Sequence, residues 1–258
     1  MSSFFAVAFL VFLAGTCLAY FVLPKAVRPY WLLVCSYLFY MYDPENAGFV
    51  ALLLSASAVT WAAALLLERL RVKWMRRVCL VVSLALCVGC LFYYKYFNFL
   101  GETLAALLDS FGLHYTAPSL DILAPVGISY FTFAALGYVI DVYRDTVRVQ
   151  KNPFYVALYI ALFPQLVAGP IVRYSTVAEE IRNRVHSWEL LSEGACRFVQ
   201  GLAKKLLLAN TFAVVADNIY SLTEAGHQLV KIPVTLAWLG SFAYTLQIFF
   251  DFSGYSDM

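Results

Sequence analysis

Polar side chains set at helical intervals inside apolar runs are the first candidates for chemistry. In the stretch 240–255, Gly240, Tyr244, Gln247, Asp251 and Tyr255 recur at spacings of 4, 3, 4 and 4, which puts them on one face of a helix. Ser253 and Asp257 stand beside them in the closing run "DFSGYSDM". Carboxylates, hydroxyls and an amide in apolar surroundings can orient a proton-transferring group or line a polar passage; in lipid such groups face an interior or a cavity. A second stretch sets Gly127, Tyr130, Ala134, Gly137 and Asp141 at spacings of 3, 4, 3 and 4. Its small residues are expected to serve close helix packing.

Other reactive residue types carry less. None of His114, His186 and His227 has a metal-ligand partner three or four positions away, so all three are read as loop residues and no metal is expected. Cys87 and Cys90 form a CxxC inside an apolar run with no second pair to complete a site. They are read, like the other cysteines, as packing residues. No GxSxG, phosphate-loop, GxGxxG or HExxH pattern is present, and no bound cofactor is expected.

The elements that must hold these residues follow from composition. The 258 residues are 62% hydrophobic and 13% charged, with mean hydropathy +0.75, against about half apolar and about a quarter charged in soluble domains. The expected solvent is a lipid bilayer and the expected fold an all-α polytopic membrane protein. A net charge of +2 is too small to argue for a nucleic-acid partner, and none is expected. Apolar segments fall at 4–23, 30–42, 47–67, 78–94, 126–140, 154–172, 196–216 and 232–250, giving seven to eight hydrophobic segments. The first lacks a basic n-region and is read as a retained span rather than a signal peptide.

Loop charges set an orientation. Lys25 and Arg28 follow the first segment, and Arg69, Arg71, Lys73, Arg76 and Arg77 follow the third. Basic loops stay cytoplasmic, so the N-terminus is expected outside, with 95–121 outside and 141–153 inside. Segment 154–172 contains Pro164, Gly169 and Pro170, which interrupt a helix. Broken backbone at membrane depth survives where protein or a wet cavity satisfies it, so this segment is expected to be re-entrant or discontinuous. From 187 to 222, Glu193, Arg197, Gln200, Lys204 and Thr211 form one polar stripe, as in a helix lying at the membrane interface.

Four ordered motifs carry a resemblance: "PVGISYFTFAALGYVIDVYR", "FPQLVAGPIVRY", "GLAKKLLLAN" and "LGSFAYTLQIFFDFSGYSDM". Together they resemble the membrane-bound O-acyltransferases. The bacterial branch typified by the alginate O-acetylation membrane subunit, with its peptidoglycan and teichoic-acid relatives, is the nearest in pattern. "CSYLFY" and "YYKYFNF" are similar to that branch more loosely. The resemblance implies a ring of membrane helices, of which 1–258 is a single, N-terminal and incomplete part. It also implies multi-pass insertion in the bacterial inner membrane.

The activity implied is O-acyl transfer, in this branch O-acetyl transfer. A cytoplasmic thioester such as acetyl-CoA would supply the group, and hydroxyls of an extracytoplasmic polysaccharide such as alginate would receive it. An extracytoplasmic partner of the SGNH-esterase type is implied too. Tyr244, Gln247, Asp251, Ser253, Tyr255 and Asp257 are the expected tunnel- or substrate-lining residues. Arg173 and Lys204 are candidates for holding the donor's phosphates, against headgroup snorkelling.

The family's catalytic histidine, the base that alcohol attack on a thioester needs, lies well downstream of the "DFSGYSDM" motif. No histidine here matches it, so it is expected beyond Met258, and the 258-residue chain is expected to be inactive alone. Asn210 stands where many relatives have Asp, whereas Asp217 matches. Two alternatives stay open beside the enzyme: a non-catalytic scaffold fragment, and a membrane transporter or flippase, for which no inverted repeat is visible.

Overall fold

A computed structural model describes residues 7–112, 123–167, 169–224 and 233–258; His114 and His227 lie outside the described residues. Every regular element among those residues is helical. The chain forms two compact units, Met1–Val167 with Ile171–Arg184, and Ala168–Pro170 with Val185–Met258.

The first unit holds α1 (Val7–Val22), α2 (Arg28–Met41), α3 (Pro44–Ala47), α4 (Val50–Arg69), α5 (Lys73–Ser110), α6 (Ile128–Tyr143), α7 (Pro153–Ala161), α8 (Phe163–Leu166) and α9 (Tyr174–Asn183). Local chemistry sets the boundaries. Pro29 falls in the first turn of α2, where its missing N–H removes no helix bond. Arg28 donates from Nε to Leu23 O at 3.0 Å and from Nη2 to Phe21 O at 3.3 Å. It thereby satisfies carbonyls left open at the end of α1. Asn152 caps α7, its Oδ1 accepting from Phe154 N–H at 3.0 Å.

Helices α4, α5 and α6 pack on one another. Ser57, Thr60 and Ala64 of α4 are buried, and the two hydroxyls return to Leu53 O (2.9 Å) and Ala56 O (2.7 Å). Small residues whose polar atoms are satisfied within their own helix allow close approach. The layer is tied at both ends. At one end the Arg76 guanidinium donates to the Asp145 carboxylate at 2.8 and 3.2 Å and to Tyr143 O at 3.0 Å. At the other, Lys95 Nζ donates to Ser129 Oγ at 3.3 Å, and the Phe49 and Tyr94 rings meet at 5.6 Å. The Arg76 contact joins the segments 68–77 and 141–153, which the loop charges assign to one side.

The buried face of α6 is Ile128, Phe131, Thr132, Ala135, Tyr138, Val139 and Val142. Of the residues expected to pack closely, Gly127, Tyr130, Ala134, Gly137 and Asp141 are all partly buried, with Ala134 against the core and Gly127 against Leu166; Gly137 is the exception. A Cβ on Gly137 would meet open space, so nothing packs closely there. Large apolar side chains, with more area to bury, take the innermost positions. Gly127 alone of that set is conformationally required, with φ +74° and a Cβ that would run into Leu166 O.

The stretch 154–172 is discontinuous. α7 rises only ~14 Å before the chain turns extended at Leu162, and α8 is a single turn. Phe163 N–H donates to Ser36 Oγ at 3.2 Å, and the Tyr159 hydroxyl donates to Val172 O at 2.8 Å. Side chains thus satisfy the interrupted backbone, the condition for such a break inside a membrane. Tyr138, Tyr159 and Tyr174 stack edge to face beside it, with Tyr174 centred 4.7 Å and 5.2 Å from the other two rings. Gln150, itself buried, donates to the Tyr174 hydroxyl at 3.1 Å.

Among the described residues, three helical stretches are long and apolar enough to cross a membrane: Val50–Arg69, Lys73–Ser110 and Trp188–Leu222. Ala8–Val22 and Ile128–Tyr143 are apolar but shorter. One difference from the sequence reading is plain. Positions 95–110, beyond the apolar segment 78–94 and within the stretch expected outside, continue α5 without a break. Asn98, Gly101 and Glu102 end the apolar run, yet Leu and Ala keep helix propensity high.

The second unit holds α10 (Trp188–Ala203), α11 (Asn210–Glu224) and α12 (Val234–Asp257). The Ser187 hydroxyl caps α10, accepting from Leu190 N–H at 3.1 Å. Between α10 and α11 the helix widens into a π-helical turn over Lys204–Ala209, where Asn210 N–H reaches Lys205 O, five residues back.

Candidate functional site

The wide turn faces the last two turns of α12, and the glycines set how near they come. A Cβ on Gly201 would sit 2.5 Å from Gly254 O, and one on Gly254 would sit 2.7 Å from Gly201 O. The two backbones are in contact, which only glycine permits. That contact brings both lysines of the turn within reach of acids on α12. Lys204 Nζ pairs with Asp257 Oδ2 and donates to Ser253 Oγ at 3.1 Å. Lys205 Nζ pairs with Asp251 Oδ1.

Farther along, the same two helices close with apolar groups. The Phe212 and Phe250 rings stack at 5.9 Å, tilted by only 7°. Tyr220 and Tyr244 meet edge to face at 6.2 Å. Gly240 lies under Ile219, whose Cγ2 would be 3.0 Å from an added Cβ. The Gln247 carbonyl Oε1 is fully buried and has no hydrogen-bond partner among the described residues, an arrangement that costs about 1–3 kcal/mol unless something supplies a donor.

The structure therefore brings Lys204, Ser253 and Asp257 together, and joins Asp251 to a residue the sequence reading passed over, Lys205. Tyr255 is half-buried beside them, and Tyr244 keeps about half its surface exposed. Arg173 precedes α9 in the first unit and is exposed. The signal for Lys205 was present as two adjacent lysines in an apolar helix. An ordinary α-turn separates neighbours by about 100°, so spacing singles out one lysine, whereas the wide turn presents both to α12.

This cluster of two ammonium groups, two carboxylates and a hydroxyl is charge-balanced. It can hold and orient polar groups, and an incoming anion would compete with Asp257 for Lys204. Among the described residues it has no imidazole. Among the described residues no group of three or more His, Cys, Asp or Glu is placed to hold a metal ion.

Comparison with known proteins bears on the same helices. Residues 144–258, which include every candidate site residue, match the model of the membrane-bound O-acyltransferase family. "Probable alginate O-acetylase AlgI" of Pseudomonas syringae pv. tomato is 37% identical over 243 residues, 93% of this chain and 44% of that protein. The chain belongs to the membrane-bound O-acyltransferase family. A "Peptidoglycan O-acetyltransferase" of Helicobacter pylori is 27% identical over 257 residues, 88% of this chain and 46% of that protein. A "Teichoic acid D-alanyltransferase" of Bacillus subtilis is 27% identical over 146 residues, 54% of this chain and 34% of that protein. The chain spans less than half the length of these relatives. Family membership and the apolar helices support a membrane setting.

Proposed function

We propose that this chain is part of a bacterial O-acyltransferase of the inner membrane. The group moved is acetyl, from a cytoplasmic thioester such as acetyl-CoA toward hydroxyls of an extracytoplasmic polysaccharide such as alginate. The supporting observation is the lysine–carboxylate cluster at the tip of α12: a polar site inside otherwise apolar helices, within the family-matched residues.

In this reading Tyr244, Gln247, Asp251, Ser253, Tyr255 and Asp257 line the acyl path, and buried Gln247 Oε1 accepts from a donor the substrate brings. Arg173 and Lys204 hold the donor's phosphates, with Lys204 exchanging Asp257 for the anion. Alternating loop charges put the N-terminus outside and 154–172 in a re-entrant position, with seven to eight segments entering the bilayer. An SGNH-type protein outside the cell completes transfer to the polysaccharide.

The test is acetyl transfer from radiolabelled acetyl-CoA in membranes from cells expressing the whole gene, with the polysaccharide and the partner supplied. Acceptor-dependent label in polysaccharide is expected. Absence of label, where membranes bearing a related alginate O-acetylase transfer it, would refute the reading.

A further inference from the structure

Residues 96–110 carry α5 past both of its neighbours. α6 begins opposite Lys95 and α4 opposite Tyr94, so the three-helix layer ends at that level. The remaining residues rise a further ~22 Å. Tyr96, Leu100, Leu104, Leu107 and Phe111 recur there at spacings of 4, 4, 3 and 4, on one face. They are 41%, 38%, 48%, 55% and 75% exposed.

This face does not begin at Tyr96. Met75, Val78, Val82, Leu86 and Tyr93 hold the same register in the crossing part of α5, and all are exposed large hydrophobics. The opposite side behaves differently. Buried Ser83, Cys87 and Leu91 are followed in the same register by Lys95, Asn98 and Glu102. Past the layer, the packing side becomes polar while the lipid side stays apolar. A segment standing in water would have no reason to keep that stripe. The changeover is also dense in aromatics, with Tyr93, Tyr94, Tyr96, Phe97 and Phe99, the residue type that gathers at membrane–water interfaces.

We propose that residues 96–111 carry the amphipathic stripe of α5 from the outer part of the acyl-chain layer into the headgroups of the leaflet opposite the Lys73–Arg77 end, with Leu100, Leu104, Leu107 and Phe111 against phospholipid. Lengths agree with this. The 38-residue α5 is ~57 Å long, and a tilt of about 40°, the steep end for membrane helices, fits it within the ~40–45 Å of a bilayer with its headgroups. Lipid is favoured over a protein partner because the stripe continues, in register, the exposed apolar face of a helix long and apolar enough to cross a membrane. Binding of this kind scales with buried apolar area.

The experiment places a benzophenone amino acid at Leu104, at Asp109 on the opposite face, or at Val82 within the span, in the whole protein in cell membranes. After irradiation, adducts are identified by mass. Phospholipid adducts at Leu104 comparable to those at Val82, and several-fold above Asp109, are expected. Adducts to a second copy or to another protein at Leu104 would overturn the proposal. So would lipid labelling there no greater than at Asp109 while Val82 labels well. None of these outcomes depends on acyl transfer, so this assignment and the enzymatic one fail separately.

Discussion

Asp251 and Lys205 show how an acid and a base persist in an apolar helix pair. Only 12% of the Lys205 side chain and 27% of Asp251 remain exposed. Truncating one partner leaves the other charge poorly solvated, whereas replacing both with apolar residues removes the desolvation cost together with the attraction. Lys205→Met and Asp251→Leu should each lower stability by about 1–3 kcal/mol, between the values for exposed and fully buried pairs. The double variant should recover most of the loss, and unfolding in detergent measures the cycle; additive losses would mean the pair is not coupled. The catalytic reading adds a kinetic expectation: Asp251→Asn should lower turnover more than Asp141→Asn does. Equal rates for wild type and Asp251→Asn would remove Asp251 from the acyl path. Lys204→Gln should raise the donor KM more than it lowers kcat if Lys204 holds phosphate, and the reverse split would leave it a purely structural partner of Asp257.

At the scale of elements, glycine positions decide two contacts. Gly254→Val puts side-chain atoms where the Gly201 carbonyl stands and should destabilise the α10–α12 contact by about 1–3 kcal/mol, the usual cost of overpacking. Gly137→Ala, with open space around it, should leave stability unchanged or slightly higher. Thermal unfolding of the two variants side by side checks both statements. The same comparison explains what spacing revealed. The α12 stripe was legible because Gly240, Gln247 and Asp251 contrast with Leu239, Phe242 and Phe249, and a period of about 3.6 sorts them. On α6 the contrast is weak: both faces are apolar or small, and only packing volume selects Phe131, Tyr138 and Val139 as the inner side. Lys205 was hidden because its direction depends on a wide backbone turn, which residue type does not announce.

For the molecule as a whole, composition was sufficient to indicate membrane helices, and motif order to indicate the family. The number of crossings was less legible. Hydropathy marks apolar length, but α7 ends early at Leu162, where Ser36 of α2 accepts the freed Phe163 N–H and Tyr159 of α7 itself donates across the break to Val172 O. α5 runs on because helix propensity outlasts hydrophobicity. Removing the Ser36 hydroxyl should expose this dependence. Ser36→Ala leaves Phe163 N–H buried without its acceptor and should cost about 1–3 kcal/mol, read as faster proteolysis of the 162–173 stretch in detergent; unchanged cleavage would show that the break holds itself.

The wide turn over Lys204–Ala209 has one more consequence, for sequence length rather than composition. A turn that closes five residues back holds one residue more than an α-turn. Losing a single residue there can be absorbed by restoring the ordinary helix, without opening a gap. The helices on either side would then keep their phase, so Gly201 stays against Gly254, while the two lysines return to the ~100° separation of an ordinary α-turn. Single-residue deletion at Leu207 should therefore keep helix content and the glycine contact, while one of the two lysines loses its carboxylate.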